Sequence, residues 1–256
     1  MSGAPVTVKL GGTAGAHARS LAVLVERSEP GWVIVHGGGG EVGDWSRRLG
    51  VEPSSVDGLR VTDPMTLEIA VAVLRGLVNA RLVATFVAAG VAAIGLGGAD
   101  GDLLGAERFD ARLGEVGRVN RVNGPLLDAL CGDNLIPIIA PIARGPGSEL
   151  LNVNADEVAG AIAAARGGRP MLLTEVPGVL REATTVTTLG IEEAEAMLAD
   201  GSASGGMRPK LRAAITAARA GCAVAIVDGT DPDAVRAALD GRKTGTTVTD
   251  LVARLG

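Results

Sequence analysis

Three lysines are where chemistry is to be sought in this chain. Of its 24 basic residues only Lys9, Lys210 and Lys243 are lysine, and the other 21 are arginine. An ammonium is a compact point charge and a guanidinium a planar fork, so a composition this rich in arginine leaves lysine where a fork will not serve. Lys9 ends the apolar run VTVKLGG and is followed by Gly11 and Gly12. Lys210 comes just after Gly205, Gly206 and Pro209. Lys243, inside GRKTG, reads as a solvated loop residue.

Glycine loops supply the second chemical signal. Residues 33–43, VIVHGGGGEVG, read as an apolar strand, four glycines and a helix. A helix N-terminus presents unpaired N–H groups and partial positive charge, and glycines let backbone approach an anion closely. Gly11 with Gly12, and Gly95, Gly97 and Gly98, form two more loops at strand ends, where parallel sheets gather ligands. A tight strand-to-helix turn with no ligand is the plain alternative. Gly38, Gly40 and Gly43 also fit G-x-G-x-x-G, but a dinucleotide site needs a second strand ending in an acid about 20 positions on. Asp57 has the distance, yet VEPSSVDG reads as a turn-rich loop. No P-loop and no G-x-S-x-G elbow occurs. The two histidines, His17 and His36, are too few for a histidine-built zinc site, and His36 reads as a hydrogen-bonded structural residue.

The elements that must hold these groups follow an alternating rhythm. Strands are expected at Val6–Leu10, Trp32–His36, Val91–Leu96, Ile136–Ile142, Met171–Thr174, Ala223–Val227 and Thr246–Thr249. Between them lie expected helices at Ala16–Arg27, Glu41–Leu49, Thr66–Ala89, Gly124–Leu130, Ala155–Ala165, Ile191–Ala199 and Pro209–Ala220. Such alternation predicts a largely parallel sheet with helices on both faces. Arg144–Ser148 and Gly201–Gly206 read as loops, and any division into lobes falls near Gly167–Pro170 within one continuous sheet.

Composition sets the outer bounds. At 256 residues, 47% apolar and 21% charged, the chain is globular, with one large α/β domain or two lobes. A net charge of -5, with no Tyr, two Trp and two Phe, gives neither an electrostatic footprint nor a stacking platform for nucleic acid. Cys131 and Cys222 read as core filler suited to a reducing cytoplasm. Leu82 to Ala99 carries no charge, but Gly90 divides it into a helix end and a strand, so it reads as a buried segment and not a membrane span.

Taken together, KLGG (Lys9–Gly12), HGGGG (His36–Gly40), GLRVT (Gly58–Thr62), GLVN (Gly76–Asn79), NVNAD (Asn152–Asp156), PGVL (Pro177–Leu180) and GGM-x-x-K (Gly205–Lys210) resemble the amino acid kinase family. The motifs span nearly the whole chain in the family's order. The resemblance implies a three-layer αβα sandwich around an open, mostly parallel eight-stranded sheet. It further implies an N-terminal lobe, residues 1–168, for the acyl acceptor and dimerisation, and a C-terminal lobe, residues 169–256, for ATP. The motifs look most like those of members that phosphorylate the γ-carboxylate of N-acetyl-L-glutamate in arginine biosynthesis, with Mg²⁺ carried in on ATP and no metal site of the protein's own. By that resemblance Lys9 and Lys210 stabilise the moving phosphoryl group from two sides and Asp156 holds them in place. Gly38, Gly39, Arg60, Asn152 and Asn154 match acceptor-binding positions. Gly11, Gly12, the segment Glu175, Val176, Pro177, Gly178, Val179, Leu180, and the trio Ser202, Ala203, Ser204 match nucleotide-binding ones.

Each residue also has a structural reading. Lys210 can simply follow Pro209 in a helix's first turn, Asp156 can be a favourable first-turn acid, Asn152 and Asn154 can be caps, and Arg60 a surface charge. A cation at a helix start opposes the macrodipole, however, so an anion is expected near Lys210. Glu175 stands where the family usually has aspartate. With Lys9 so near the start, the expectation is an arginine-insensitive homodimer joined partly through the Thr66–Ala89 helix. Two rivals remain: a sister kinase acting on α-aminoadipate or glutamate held by an acidic amino-group carrier protein, and a catalytically silent small-molecule sensor.

Overall fold

The computed structural model describes residues 4–11, 14–26, 31–56 and 58–250. Gly12, Asp57 and the expected helix end at Arg27 lie outside these, as does the side chain of His17. Eight strands form one sheet in the order Thr188–Gly190, Thr246–Thr249, Val224–Asp228, Arg169–Thr174, Val6–Leu10, Trp32–His36, Ile136–Ile139 and Ala93–Leu96. Neighbours are parallel except Val224–Asp228 with Thr246–Thr249. The sheet runs unbroken past Gly167 and Gly168, whose positive φ angles of 71° and 87° turn the chain into the Arg169–Thr174 strand.

Helices cover both faces, which is why the central strands are mostly apolar; Thr7 and Lys9 inside Val6–Leu10 are polar exceptions. Val8, Leu10, Ile34, Met171 and Leu173 join one core, packed with helices Ala14–Glu26, Pro64–Ala88 and Pro232–Leu239. Val33, Val35, Leu172, Val224 and Ile226 join the other, packed with Gly124–Gly132, Ala155–Arg166, Ile191–Ala199 and Met207–Arg219. Lys9 sits between Val8 and Leu10, so strand alternation sends it to the second face, toward helices Ala155–Arg166 and Met207–Arg219.

The Pro64–Ala88 helix starts where Asp63 accepts the Thr66 N–H at 2.7 Å and Pro64 fills the first turn. It is long and apolar enough to cross a membrane, but Ile69, Leu74, Val78, Leu82 and Phe86 are buried in the core. Its middle, Val71–Val78, winds in wider π turns that end at Asn79.

The helix Pro232–Leu239 and the edge strand Thr188–Gly190 were not expected, and two further features depart from the sequence reading. The expected strand Ile136–Ile142 is two, Ile136–Ile139 and Ile142–Arg144, broken at Pro141, which has no N–H to give a ladder. The second piece joins Leu104–Arg108, Val116–Val122 and Leu150–Val153 in a small closed sheet of its own. The segment before Asp57 is also no plain loop, since Ser55–Val56 pairs with Leu59–Arg60 in a two-residue hairpin.

Candidate active site

Six neighbouring parallel strands, from Val224–Asp228 to Ala93–Leu96, end along one edge of the sheet, and two of the rare lysines meet there. Lys9 Nζ lies 3.1 Å from Asp156 Oδ1, and Lys210 Nζ lies 3.5 Å from both carboxylate oxygens. The three residues are 6%, 5% and 8% exposed for Lys9, Asp156 and Lys210. Two cations face one anion out of water, leaving one surplus positive charge. Burial drives the Lys9 ammonium below the ordinary lysine range; Asp156 pulls it back up and Lys210 pushes it further down.

Local structure explains why the triad forms. Asn154 caps its helix by accepting the N–H groups of Asp156 at 2.9 Å and Glu157 at 3.3 Å, which places Asp156 in the first turn, where a carboxylate complements the macrodipole. Lys210 occupies the first turn of the neighbouring helix, and Asp156 is the anion its position demanded. The two helices touch backbone to backbone: a Cβ on Gly160 would lie 2.7 Å from the carbonyl oxygen of Ala213. Gly160 is one turn beyond Asp156 and Ala213 one turn beyond Lys210, so this close crossing sets the separation of the charged pair.

On one side of the triad a cavity of about 510 Å³ holds Lys9, Gly38, Gly39, Arg60, Asn152, Asn154 and Asp156. Gly38 has φ 151°, and a side chain there would strike Leu74 at 2.7 Å. Arg60 donates Nη2 to the Gly39 carbonyl at 2.6 Å, while its Nη1 is buried without a hydrogen-bond partner. Burial, and then the charge of Arg47, lower the Arg60 pKa. Asn152 donates to Thr62 Oγ1 at 3.1 Å, which fixes its amide. Behind the glycine loop His36 is wholly buried, with Nδ1 2.8 Å from the Gly37 carbonyl and Nε2 3.1 Å from the Asn79 amide, which also donates to Ile138 O at 2.8 Å. Desolvation lowers the His36 pKa to about 4, so the ring is neutral, donating through Nδ1 and accepting through Nε2.

On the other side a cavity of about 450 Å³ holds Gly11, Glu175, Val176, Gly178, Val179, Leu180, Ser202, Ala203, Ser204 and Lys210. Its loop is pinned from behind by Thr246, whose Oγ1 accepts the Val179 N–H at 2.8 Å and donates to Val186 O at 2.6 Å.

The model of the amino acid kinase family matches residues 5–228. The chain belongs to the amino acid kinase family. An acetylglutamate kinase of Methanopyrus kandleri is 44% identical over 232 residues, covering 86% of this chain and 93% of that one. Another, of Rubrobacter xylanophilus, is 45% identical, with 84% and 85% covered. A crystal structure of a Streptococcus mutans protein superposes with TM-score 0.82 at 25% identity, covering 95% of this chain and 98% of its own.

Apart from GLVN, whose Asn79 instead holds His36 and the Ile138 carbonyl, the amino acid kinase motifs contribute residues to the two cavities. Pro177 stands exposed on the second cavity's loop without lining it. Several lining residues escape sequence reading. Ser54, Ser55, Val116 and Pro141 line the first cavity, and Thr174, Met197 and Met207 the second. Apart from Met207, which stands inside GGM-x-x-K, none of them belongs to a quoted motif or carries a charge that marks it in a sequence.

Proposed function

We propose that this amino acid kinase transfers the γ-phosphoryl group of ATP to the γ-carboxylate of N-acetyl-L-glutamate, giving N-acetyl-L-glutamyl 5-phosphate in arginine biosynthesis. The observation that carries the reading is the buried Lys9–Asp156–Lys210 triad, with its surplus positive charge, set between two cavities. The first takes the acceptor: Arg60 offers Nη1 to a substrate carboxylate, in the fork geometry that suits it, beside the backbone of Gly38 and Gly39. The second takes the nucleotide, against the Glu175–Leu180 loop and the Ser202–Ser204 turn. In this reading residues 1–168 form the acceptor lobe and residues 169–256 the ATP lobe.

An acceptor carboxylate is ionised at neutral pH, so its oxygen attacks the γ-phosphorus without a general base while the bond to the leaving ADP breaks. Charge spreads over the moving phosphoryl group, and Lys9 and Lys210 meet it from either side. Asp156 prevents the two ammoniums from repelling each other out of position. In this reading Mg²⁺ arrives on the triphosphate oxygens of ATP. Exposed Leu77 and Val87 on the Pro64–Ala88 helix suit a homodimer contact, which light scattering would check.

The deciding experiment traps acyl phosphate with hydroxylamine in the presence of ATP and Mg²⁺, offering N-acetyl-L-glutamate beside glutamate, aspartate and free α-aminoadipate. Turnover with acetylglutamate alone, lost in Lys9→Ala, is expected. No turnover with any free acid would turn the assignment toward a carrier-bound acceptor or a silent sensor.

A further inference from the structure

A third cavity, of about 420 Å³, lies along the same two helices but on the flank away from the triad. Leu59 and Asn154 line both it and the acceptor cavity. From the first 168 residues come Phe109, Arg118 and Glu157; from the remainder come Leu198, Arg212 and Ile215. The Glu157 carboxylate accepts the Val119 N–H at 2.8 Å, and burial raises its pKa.

Two of this cavity's three arginines lack an ion-pair partner among the described residues. Most described arginines have an aspartate or glutamate within ion-pair distance, and Arg219 at this cavity's edge holds Glu195 at 2.6 Å. Arg118 and Arg212 have no such ion pair among the described residues; Arg118 lies over the Phe109 ring at 4.3 Å, and both act on Glu157 only as nearby charges. Three arginines against Glu157 and Glu195 leave one unit of positive charge. The apolar wall of Phe109, Leu198 and Ile215 stands beside it. Arg60, in the first cavity, has a buried nitrogen without a hydrogen-bond partner; Arg118 and Arg212 are exposed arginines without an ion pair among the described residues.

We propose that this cavity binds a small amphipathic monocarboxylate, its carboxylate bridging Arg118 and Arg212 and its apolar part lying against Phe109, Leu198 and Ile215. Occupancy acts on turnover, because Glu157 adjoins Asp156 and Arg212 follows Lys210 by two residues. A ligand joining the two helix starts from behind shifts the pair that the Gly160 crossing holds in front. The regulatory half of this inference rests on the proposed reaction; the binding half does not.

The probe is 4-phenylbutyrate, with the neutral 4-phenylbutan-1-ol as control, titrated by calorimetry into the full chain. One saturable site for the acid is expected, retained in Arg60→Gln, weakened about tenfold or more in the Arg118→Gln/Arg212→Gln double variant, and absent for the alcohol. Both arginines are exposed, so unchanged unfolding curves establish that the double variant folds. No saturable heat overturns the site, and so does binding that Arg60→Gln removes while the double variant keeps it. Acyl phosphate formation at saturating acceptor and ATP should then change on adding 4-phenylbutyrate to the wild type and not to the double variant. Turnover that stays constant in both overturns the regulatory half while leaving the binding result and the proposed reaction untouched.

Discussion

The two cavities flanking the triad are built on opposite principles. The acceptor side is made of polar side chains each tied to something else: Arg60 to the Gly39 carbonyl, Asn152 to Thr62, Asn154 to its own helix start and His36 to Asn79. The proposed nucleotide side is a loop and a turn whose lining mixes glycines and serines with Val176, Leu180, Met197 and Met207, fixed from behind by Thr246. A preorganised set of charges recognises its ligand by a few strong contacts, whereas a loop-shaped cavity spreads recognition over many weak ones. The acceptor half should therefore break at single residues and the nucleotide half should not.

The largest effect belongs to the triad that both halves share. Lys9→Ala and Lys210→Ala should each lower kcat about a hundred- to a thousandfold, the loss typical of one preorganised charge-stabilising group. Acyl phosphate trapping measures it, and a loss below tenfold in either would remove that lysine from the reaction. Next in size is a pH effect confined to the acceptor half. His36 has a folded pKa of about 4 against 6.5 unfolded, so between these values the unfolded chain binds more protons. Stability is then fully present above pH 6.5 and is lost as pH falls toward 4, by about 3 kcal/mol at most at 1.36 kcal/mol per pKa unit. Urea unfolding across that window, in wild type and in His36→Gln, checks it: the variant's curve should lack this slope.

Gly160→Ala forces apart helices that touch through backbone, at about 1–3 kcal/mol of overpacking. Because the crossing positions Asp156 against Lys210 and binds neither substrate, kcat should fall while both KM values hold. A change confined to the unfolding midpoint would reduce Gly160 to packing alone. Arg60→Lys keeps the charge and loses the fork, which should raise the acceptor KM about tenfold with the ATP KM unchanged. Equal rises in both constants would dissolve the contrast between the cavities.

The same contrast explains what the sequence revealed. Lys9 and Lys210 stood out because a lysine at an apolar strand end or a helix start needs a reason in so arginine-rich a chain, and strand–glycine–helix punctuation located the edge; Asp156 and Arg60 were named only by the resemblance to the family. Seven strands of the sheet were legible because strands buried on both faces are mostly apolar; the eighth, Thr188–Gly190 at the sheet's edge, was not read, and the number eight came from the family resemblance. The small closed sheet was not: VGRVNRV (Val116–Val122) carries two arginines and an asparagine on faces that water reaches, and Leu104–Arg108 ends in exposed Glu107 and Arg108. Its pairing comes from contacts far apart in sequence, which local pattern does not carry. The helix Pro232–Leu239 was missed although Asp231 caps it, because Pro232 beside a turn reads equally as a loop. Gly160 gave no signal either, since its role depends on Ala213, and neither residue alone marks a helix crossing.

The smallest effect is the sharpest test of the loop-built half. Ser202→Ala and Ser204→Ala each remove one hydroxyl from the nucleotide cavity's rim. A neutral hydrogen bond contributes about 1 kcal/mol, so the ATP KM should rise only about fivefold in either variant, with kcat and the acceptor KM unmoved. Backbone N–H groups of the Glu175–Leu180 loop and the shape of the cavity would supply the remainder, and no side-chain truncation removes those. Steady-state kinetics at saturating N-acetyl-L-glutamate measures the change. If either serine instead raised the ATP KM a hundredfold, the nucleotide would be held by a single strong contact, as Arg60 is proposed to hold the acceptor, and the two halves of the site would follow one principle.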